Sequence, residues 1–153
     1  MFDKYNRVDA IGKRPDTPYL ISVKKIQEVD DDPDLSYFTD ESRYHNVEDN
    51  EKRKYIKQDA QRLAAYYNDD WYYVGIRIEA LIGIPQGPQT IRMLTISSAG
   101  CWGIESDSES DYFALVIGEE CSDLADILTK FNIVDKEGLP ISDQAIQDAI
   151  NQP

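Results

Sequence analysis

The sequence predicts an α+β fold, in which an antiparallel β-sheet of about four strands is packed by helices. Apolar residues alternate through residues 71–84, which is typical of a strand with one buried face. A Pro-Gly-Pro turn then leads to a second β-branched run at 90–97, as in a β-meander. Residues 51–68 and 110–132 instead carry apolar side chains at helical spacing.

The length and composition indicate a globular protein, because 153 residues with 41% hydrophobic side chains can bury a substantial core. We expect residues 1–17 to form an irregular N-terminal arm and residues 18–153 to form a single α+β domain. No apolar run approaches the roughly 20 residues that span a bilayer, and the start lacks the apolar core of a signal peptide. A cytoplasmic location without membrane contact is therefore expected.

The first strand is predicted at residues 19–29, where β-branched residues recur with a broken alternation. Its Lys24 and Lys25 suit an exposed sheet edge. Residues 30–50 are predicted to be a loop, since the run from Asp30 to Asp34 contains four aspartates and a proline. This loop is longer than most connections in compact domains.

Residues 51–68 form the clearest amphipathic helix, with Ile56, Ala60, Leu63 and Tyr67 as its apolar stripe and Tyr55, Ala64 and Tyr66 beside it. Asp49 or Asn50 is expected to cap its start. A basic patch on the same segment is expected to be a solvated face or to pair with the acidic half of the chain. It consists of Lys52, Arg53, Lys54, Lys57 and Arg62.

The meander comprises strands 71–84, 90–97 and 101–105. If its hairpin is symmetric about residues 86–87, Glu79 lies opposite Leu94. The second long helix is predicted at 110–132, with Ser108 or Ser110 as its cap. These two long helices are expected to pack on the sheet, and a short C-terminal helix is predicted at 142–150.

The net charge of −13 is concentrated in the C-terminal part of the chain. Residues 1–92 carry 14 basic and 17 acidic residues, whereas residues 93–153 carry 2 basic and 12 acidic residues, a balance of −10. This acidity disfavours direct nucleic-acid binding and suits either solubility or a basic partner. The candidate contact surface comprises Glu105, Asp107, Glu109, Asp111, Glu119, Glu120, Asp123 and Asp126.

A metal site is conceivable in the acidic loop, because hard cations require several oxygen ligands. The candidate ligands are Asp30, Asp32 and Asp34, although the loop lacks the glycine and glutamate that an EF-hand needs at its sixth and twelfth positions. The alternative is a solvated acidic loop. The single histidine excludes a two-histidine metal motif.

No catalytic constellation is evident in the sequence. It contains no phosphate-binding P-loop and no dinucleotide fingerprint, so no cofactor is expected. Cys101 has no evident base, because His45 lies in a remote loop. Glu79 and Glu105 could act as an acid–base pair only if they shared a cleft, and the sequence does not place them together.

The run Ser97-Ser98-Ala99-Gly100-Cys101-Trp102-Gly103-Ile104-Glu105-Ser106-Asp107-Ser108-Glu109-Ser110-Asp111-Tyr112 resembles a signature of small acidic proteins encoded by bacteriophages and mobile elements. The common form reads Ser-Gly-Gly-Leu-Trp-Gly-Ile-Glu-Ser-Asp-Ser-x-x-Asp-Tyr, from which Ala99 and Cys101 depart. The resemblance covers roughly residues 20–131. That family has no assigned activity, so the resemblance implies a genomic setting and no catalytic residue.

The leading functional hypothesis is a non-enzymatic accessory protein of a phage or mobile element. Its acidic surface would contact a protein with a basic surface, such as a nucleic-acid-binding or defence protein. One alternative is a carboxylate-based divalent-metal-binding protein or enzyme. The other is a structural globule without a specific ligand, whose acidity serves solubility.

Overall fold

The computed structural model describes residues 14–152. The expectation for residues 1–13, most of the predicted arm, lies outside the described residues. Within them the fold is α+β, with a four-stranded antiparallel sheet and three helices, so the predicted fold class is confirmed. The elements are β1 (Tyr19–Val29), α1 (Asp49–Tyr67), β2 (Tyr73–Pro85), β3 (Ile91–Ser97), β4 (Cys101–Glu105), α2 (Ser110–Lys130) and α3 (Asp143–Ile150).

The 30–50 connection is more regular than a loop, because it contains two short 3₁₀ turns, Ser36–Phe38 and Glu41–Tyr44. The helices and strands otherwise lie close to the predicted positions. β2 begins later than the predicted residue 71, and α2 ends before the predicted residue 132. In the described part of the chain, no helix is long and apolar enough to cross a membrane.

β2 is the strand with the most partners, since it pairs with β1, β3 and β4. Its alternation produces one fully buried row of side chains, each 0–1% exposed: Val74, Ile76, Ile78, Ala80 and Ile82. Successive side chains of a strand point to opposite faces, and the β-branched residues of this row suit a pleated surface. The period-2 pattern therefore predicts the buried row correctly from Val74 to Ala80. It also places Tyr72 in that row, but Tyr72 precedes the strand and is 45% exposed.

The predicted hairpin register is wrong. Glu79 lies opposite Ser97 rather than Leu94, and Leu94 lies opposite Ile82. The cause is the turn, which closes through a hydrogen bond from the Gln86 N–H to the Thr90 carbonyl at 2.8 Å. The connection is therefore longer than a two-residue turn, and the strands pair about a later centre.

The chain divides into two compact units. Of the described residues, the first unit contains 14–27, Ile76–Cys101 and 109–152. The second contains Glu28–Gly75 and Trp102–Ser108. The single domain expected for residues 18–153 stays a prediction.

The first unit is built around a hydrophobic core that β2 shares with α2 and α3. Apolar side chains on one stripe of α2 are fully buried beside Ile146 of α3, because helical spacing brings them to the same face. Burial of each large aliphatic side chain contributes roughly 1.5–3 kcal/mol. The core comprises Ile78, Ala80, Ile82, Cys121, Leu124, Ala125, Leu128, Ile133, Ile141 and Ile146.

The second unit is organised around Trp71, which is 1% exposed. The rings of Phe38, Tyr66 and Tyr73 meet the Trp71 indole edge to face, at centroid distances of 5.8, 5.3 and 4.9 Å. Such aromatic pairs stabilise by about 0.5–1.5 kcal/mol beyond their buried area. The Trp71 indole N–H donates to the Arg62 carbonyl at 2.9 Å, so its polar atom is satisfied.

Both long helices end in the same backbone motif. Asp69 follows α1 with φ 63° and Asn132 follows α2 with φ 57°, the left-handed conformation that aspartate and asparagine tolerate. The next residue in each case donates to a carbonyl in the last turn, Asp70 to Ala65 and Ile133 to Leu128. These Schellman motifs satisfy carbonyls that have no partner within the helix.

The helix N-termini differ from the predicted caps in two of three cases. Glu48, rather than Asp49 or Asn50, caps α1 by accepting from the Asn50 N–H. Glu109 occupies the cap position of α2 without a side-chain hydrogen bond, so neither predicted serine caps that helix. Ser142 caps α3 as predicted, by accepting from the Ala145 N–H.

Candidate functional site

The eight acidic candidates fall into three groups with different partners. Glu105 and Asp107 belong to the second unit, where Arg62 of α1 neutralises both. The Arg62 Nε donates to Glu105 at 3.1 Å, and its Nη1 donates to Asp107 at 2.8 Å. One guanidinium thus bridges the two carboxylates with the planar fork that arginine provides.

The Arg62 guanidinium also lies 4.0 Å from the centre of the Trp71 ring, within the range of a cation–π interaction. Its hydrogen bonds hold the pKa of the Asp107 carboxyl below its usual range. Those bonds also raise the pKa of the Arg62 guanidinium above its ordinary value, with the bond to Asp107 as the largest cause. Glu105 and Asp107 therefore stabilise the second unit and are already paired with a cation.

The second group consists of Glu120 and Asp123 on α2, which hold the turn between β3 and β4. The Gly100 N–H donates to the Glu120 carboxylate at 2.7 Å, and the Ala99 N–H donates to Asp123 at 2.8 Å. Glu120 is only 8% exposed, so its expected place on the outer face is wrong. Both carboxylates satisfy backbone donors that β3 and β4 leave unpaired.

The third group, Glu109, Asp111, Glu119 and Asp126, is exposed to solvent in the first unit. Asp111, Glu119 and Asp126 share one face of α2, because at about 100° per residue they lie within about 80° of one another around the helix axis. Tyr112 and Leu115 lie on the same face and are 46% and 57% exposed. We call this face, with Asp111, Tyr112, Leu115, Glu119 and Asp126, the acidic–apolar face of α2.

An open groove of about 390 Å³ lies in the second unit, along α1. Its floor is formed by the apolar stripe that the sequence predicted, which explains why no residue of α1 is fully buried. The described residues cover the predicted stripe only in part, because Ile56 and Leu63 are half-buried whereas Ala60 and Tyr67 are exposed. The groove is lined by Phe38, Thr39, Asp40, Glu41, Tyr44, Ile56, Asp59, Ala60, Leu63, Ala64 and Tyr67.

A neighbouring row of α1 contacts other residues of the second unit through Tyr55, Asp59, Arg62 and Tyr66. Asp59 forms an ion pair with Arg43 and accepts from the Tyr44 hydroxyl at 2.6 Å. This bond to Asp59 raises the pKa of the Tyr44 hydroxyl. The sequence placed Tyr55 and Tyr66 beside the apolar stripe, whereas hydrophobic periodicity gave no indication of the contacts that Asp59 and Arg62 make. The i, i+4, i+7, i+11 spacing of the four residues is the signal that relates them.

The candidate metal ligands do not converge. Asp30 accepts from the Asp32 N–H at 3.1 Å and Asp34 accepts from the Ser36 N–H at 3.0 Å, so both close local turns. Among the residues that the structure describes, no three histidine, cysteine, aspartate or glutamate side chains are placed to hold a metal ion. Glu79 pairs with Arg77 and Lys24 within the first unit.

Comparison of the chain with protein-family models, curated protein sequences and solved structures finds no match.

Proposed function

We propose that this chain is a protein-binding module whose acidic–apolar face of α2 contacts a basic, amphipathic segment of a partner protein. The observation that carries the proposal is the presence of three exposed carboxylates and two exposed large apolar side chains on that one face. Single exposed apolar residues are ordinary on protein surfaces. Tyr112 and Leu115 lie one helical turn apart beside carboxylates, which is the chemistry that a basic amphipathic segment requires.

The charge of the chain favours a cationic partner. Residues 93–153 carry a balance of −10, from 2 basic and 12 acidic residues. The potential of such a surface steers a basic protein toward it and repels phosphate backbones. Salt screens exposed charges over about 10 Å at 0.1 M ionic strength, so binding through this face should weaken as salt rises.

The test is affinity capture from host lysate at low salt with three forms of the protein. The first is the wild type, and the second combines Asp111→Asn, Glu119→Gln and Asp126→Asn. The third is the matched control, which removes three exposed charges elsewhere through Asp31→Asn, Glu51→Gln and Glu137→Gln. A partner that the wild type and the control retain and the face variant loses supports the proposal. Equal loss in both variants, or no capture at low salt, contradicts it.

We also propose that the protein is an accessory factor of a phage or mobile element. This rests on the resemblance of residues 97–112 to the signature described above, and on nothing in the fold. Flanking genes that encode phage structural, replication or transfer proteins would support this setting. Location among housekeeping genes in several genomes would contradict it.

A second candidate function is the binding of a short peptide in the groove along α1. The apolar floor is suited to an apolar side chain, and the exposed carboxylates of Asp40 and Glu41 at its rim favour a neighbouring lysine or arginine. The Ser42 hydroxyl and N–H lower the pKa of Asp40, which keeps this carboxylate ionised. Ala60→Phe fills the groove and should abolish peptide binding, whereas Gln61→Phe on the neighbouring surface should not.

A further inference from the structure

We propose that β3 pairs with β3 of a second copy of this chain, which joins the two sheets into one across a twofold axis at Leu94. β3 is the last strand in the order β1-β2-β3, and within residues 14–152 no strand pairs with its other edge. An open strand edge presents a row of unpaired N–H and carbonyl groups that templates a further strand. This inference concerns the first unit and is independent of the acidic–apolar face.

The register shows which backbone groups point outward from β3. The Gln86 N–H donates to the Thr90 carbonyl and the Ser98 N–H donates to the Ile78 carbonyl, so these are hydrogen-bonded pairs of the β2–β3 ladder. Hydrogen-bonded and non-hydrogen-bonded positions alternate along an antiparallel strand. The even-numbered residues of β3 therefore bond to β2. The odd-numbered residues, Ile91, Met93, Thr95 and Ser97, direct their N–H and carbonyl groups away from it.

The strand is self-complementary about its middle residue. With the axis at Leu94, Met93 pairs with Thr95 of the second copy and Ile91 pairs with its Ser97. Both pairs join outward-directed positions, so the seven-residue strand is used over its whole length and gives about eight inter-strand hydrogen bonds. A twofold interface is isologous, which this symmetric register satisfies.

The side chains of β3 match this arrangement. Leu94 is 37% exposed and lies on the same face as its cross-strand neighbour Ile82, which is fully buried. The Leu94 side chains of the two copies meet at the axis and extend the core of each copy. Met93, on the opposite face, is 57% exposed and is partly covered by the second copy. Association therefore removes apolar surface from water on both faces of the strand.

The charge distribution permits a second copy to bind at this edge. The chain carries −13 overall, which disfavours self-association through most of its surface. Residues 80–104 contain no acidic residue, and Arg92 is their only charged side chain. In the proposed register Arg92 faces Ile96 of the second copy, so the two arginines do not oppose each other. Two copies can therefore approach here without close contact between like charges.

The opposite edge of the sheet is protected, in contrast to β3. Tyr19 of β1 forms a parallel bridge with Val134, and the Leu20 N–H donates to the Val134 carbonyl at 2.8 Å. Further along β1, Lys24 and Lys25 are exposed. A covering segment and lysines are the devices by which sheet edges avoid unwanted pairing. Among residues 14–152 no strand covers the outer edge of β3, and β3 contains no lysine.

The experiment is sedimentation equilibrium on the full chain over a range of concentrations, at low and high salt. We expect a monomer–dimer equilibrium that shifts toward dimer at high salt, because screening reduces the repulsion between the acidic copies. The affinity for a basic partner at the acidic–apolar face of α2 should instead fall as salt rises. The two proposals can therefore fail independently of each other. A monomer at every concentration and salt overturns the pairing.

The deciding variant is Thr95→Pro, which removes an outward N–H that β2 does not use. Proline is tolerated where its missing N–H faces away from the ladder. We expect this variant to weaken the dimer about tenfold or more, because each interface loses two hydrogen bonds, whereas Thr95→Ala retains the dimer. A Thr95→Pro protein with native circular dichroism and an unchanged dimer overturns the proposal. If that variant does not fold, Met93→Glu against Met93→Gln decides, since only the added carboxylates should dissociate the copies.

Discussion

Arg62 is the residue whose replacement most directly tests the account of the second unit. Its guanidinium lies over Trp71 and bonds to Glu105 and Asp107, and its side chain is 31% exposed. Truncation by Arg62→Ala removes the cation, both ion pairs and the packing of the aliphatic stem. It keeps the carbonyl that accepts from the Trp71 indole N–H. The variant therefore isolates the side chain from the helix backbone.

The expected loss follows from the exposure of the partners. The carboxylates of Glu105 and Asp107 are 40% and 49% exposed, so each ion pair is partly screened by solvent. Partly exposed pairs contribute about 0.2–1 kcal/mol each, and a cation–π contact contributes about 0.5–1 kcal/mol. The total is about 0.9–3 kcal/mol, which lowers the melting temperature by roughly 2–12 °C for a chain of this size.

The assay is thermal and urea unfolding followed by tryptophan fluorescence. Arg53→Ala is the matched control, because Arg53 is an exposed arginine of the same helix. We expect Arg62→Lys to lose about 1 kcal/mol, since lysine keeps the charge but lacks the planar fork. If Arg62→Ala destabilises no more than Arg53→Ala, the bridge seen here does not stabilise the second unit.

The pH dependence provides an independent test of the same bridge. The bonds from Arg62 depress the pKa of Asp107 in the folded protein. A carboxyl with a depressed folded pKa contributes stability that is present above its unfolded pKa and is lost as pH falls through the folded pKa. The stability difference between wild type and Arg62→Ala should therefore be constant near neutrality and shrink below about pH 4. A difference that stays constant to lower pH would contradict this assignment.

Three further outcomes follow from the packing of the two units. A Cβ at Gly75 overlaps the Trp102 indole, so Gly75→Val should displace that ring, redden its fluorescence and cost about 1–3 kcal/mol in urea unfolding. Glu120→Ala should cost about 1–3 kcal/mol in the same assay, because it leaves the Gly100 N–H without its acceptor. Burial raises the pKa of the Cys121 thiol to about 11, so thiol reagents near neutral pH should modify it far more slowly in native than in unfolded protein.

Much of the fold was predictable because the relevant patterns are local. The alternation through Val74, Ile76 and Ile78 predicts a strand with one buried face, and the structure buries those side chains. The hairpin register was not predictable, because it depends on how the residues between Pro85 and Thr90 close their turn. A shift in the centre of that turn changes every cross-strand partner.

The candidate site was only partly predictable, because identical residue types have different partners. Glu119 and Glu120 are adjacent acids on one helix, yet Glu119 is exposed and Glu120 is buried against the Gly100 N–H. Hydrophobic periodicity also gave no indication of the ion pairs that α1 forms. Asp59 and Arg62 make these pairs with residues outside the helix.

The sequence by itself determined the order of strands and helices and the excess of carboxylates in the C-terminal part of the chain. These properties depend on the period of apolar side chains and on composition. Both are local features of the sequence and do not require contacts between distant residues. Only the tertiary structure decided which carboxylates remain available and which edge of the sheet is open. Arg62 and Glu105 are separated by 43 positions, and their pairing arises only when the folded chain brings them together.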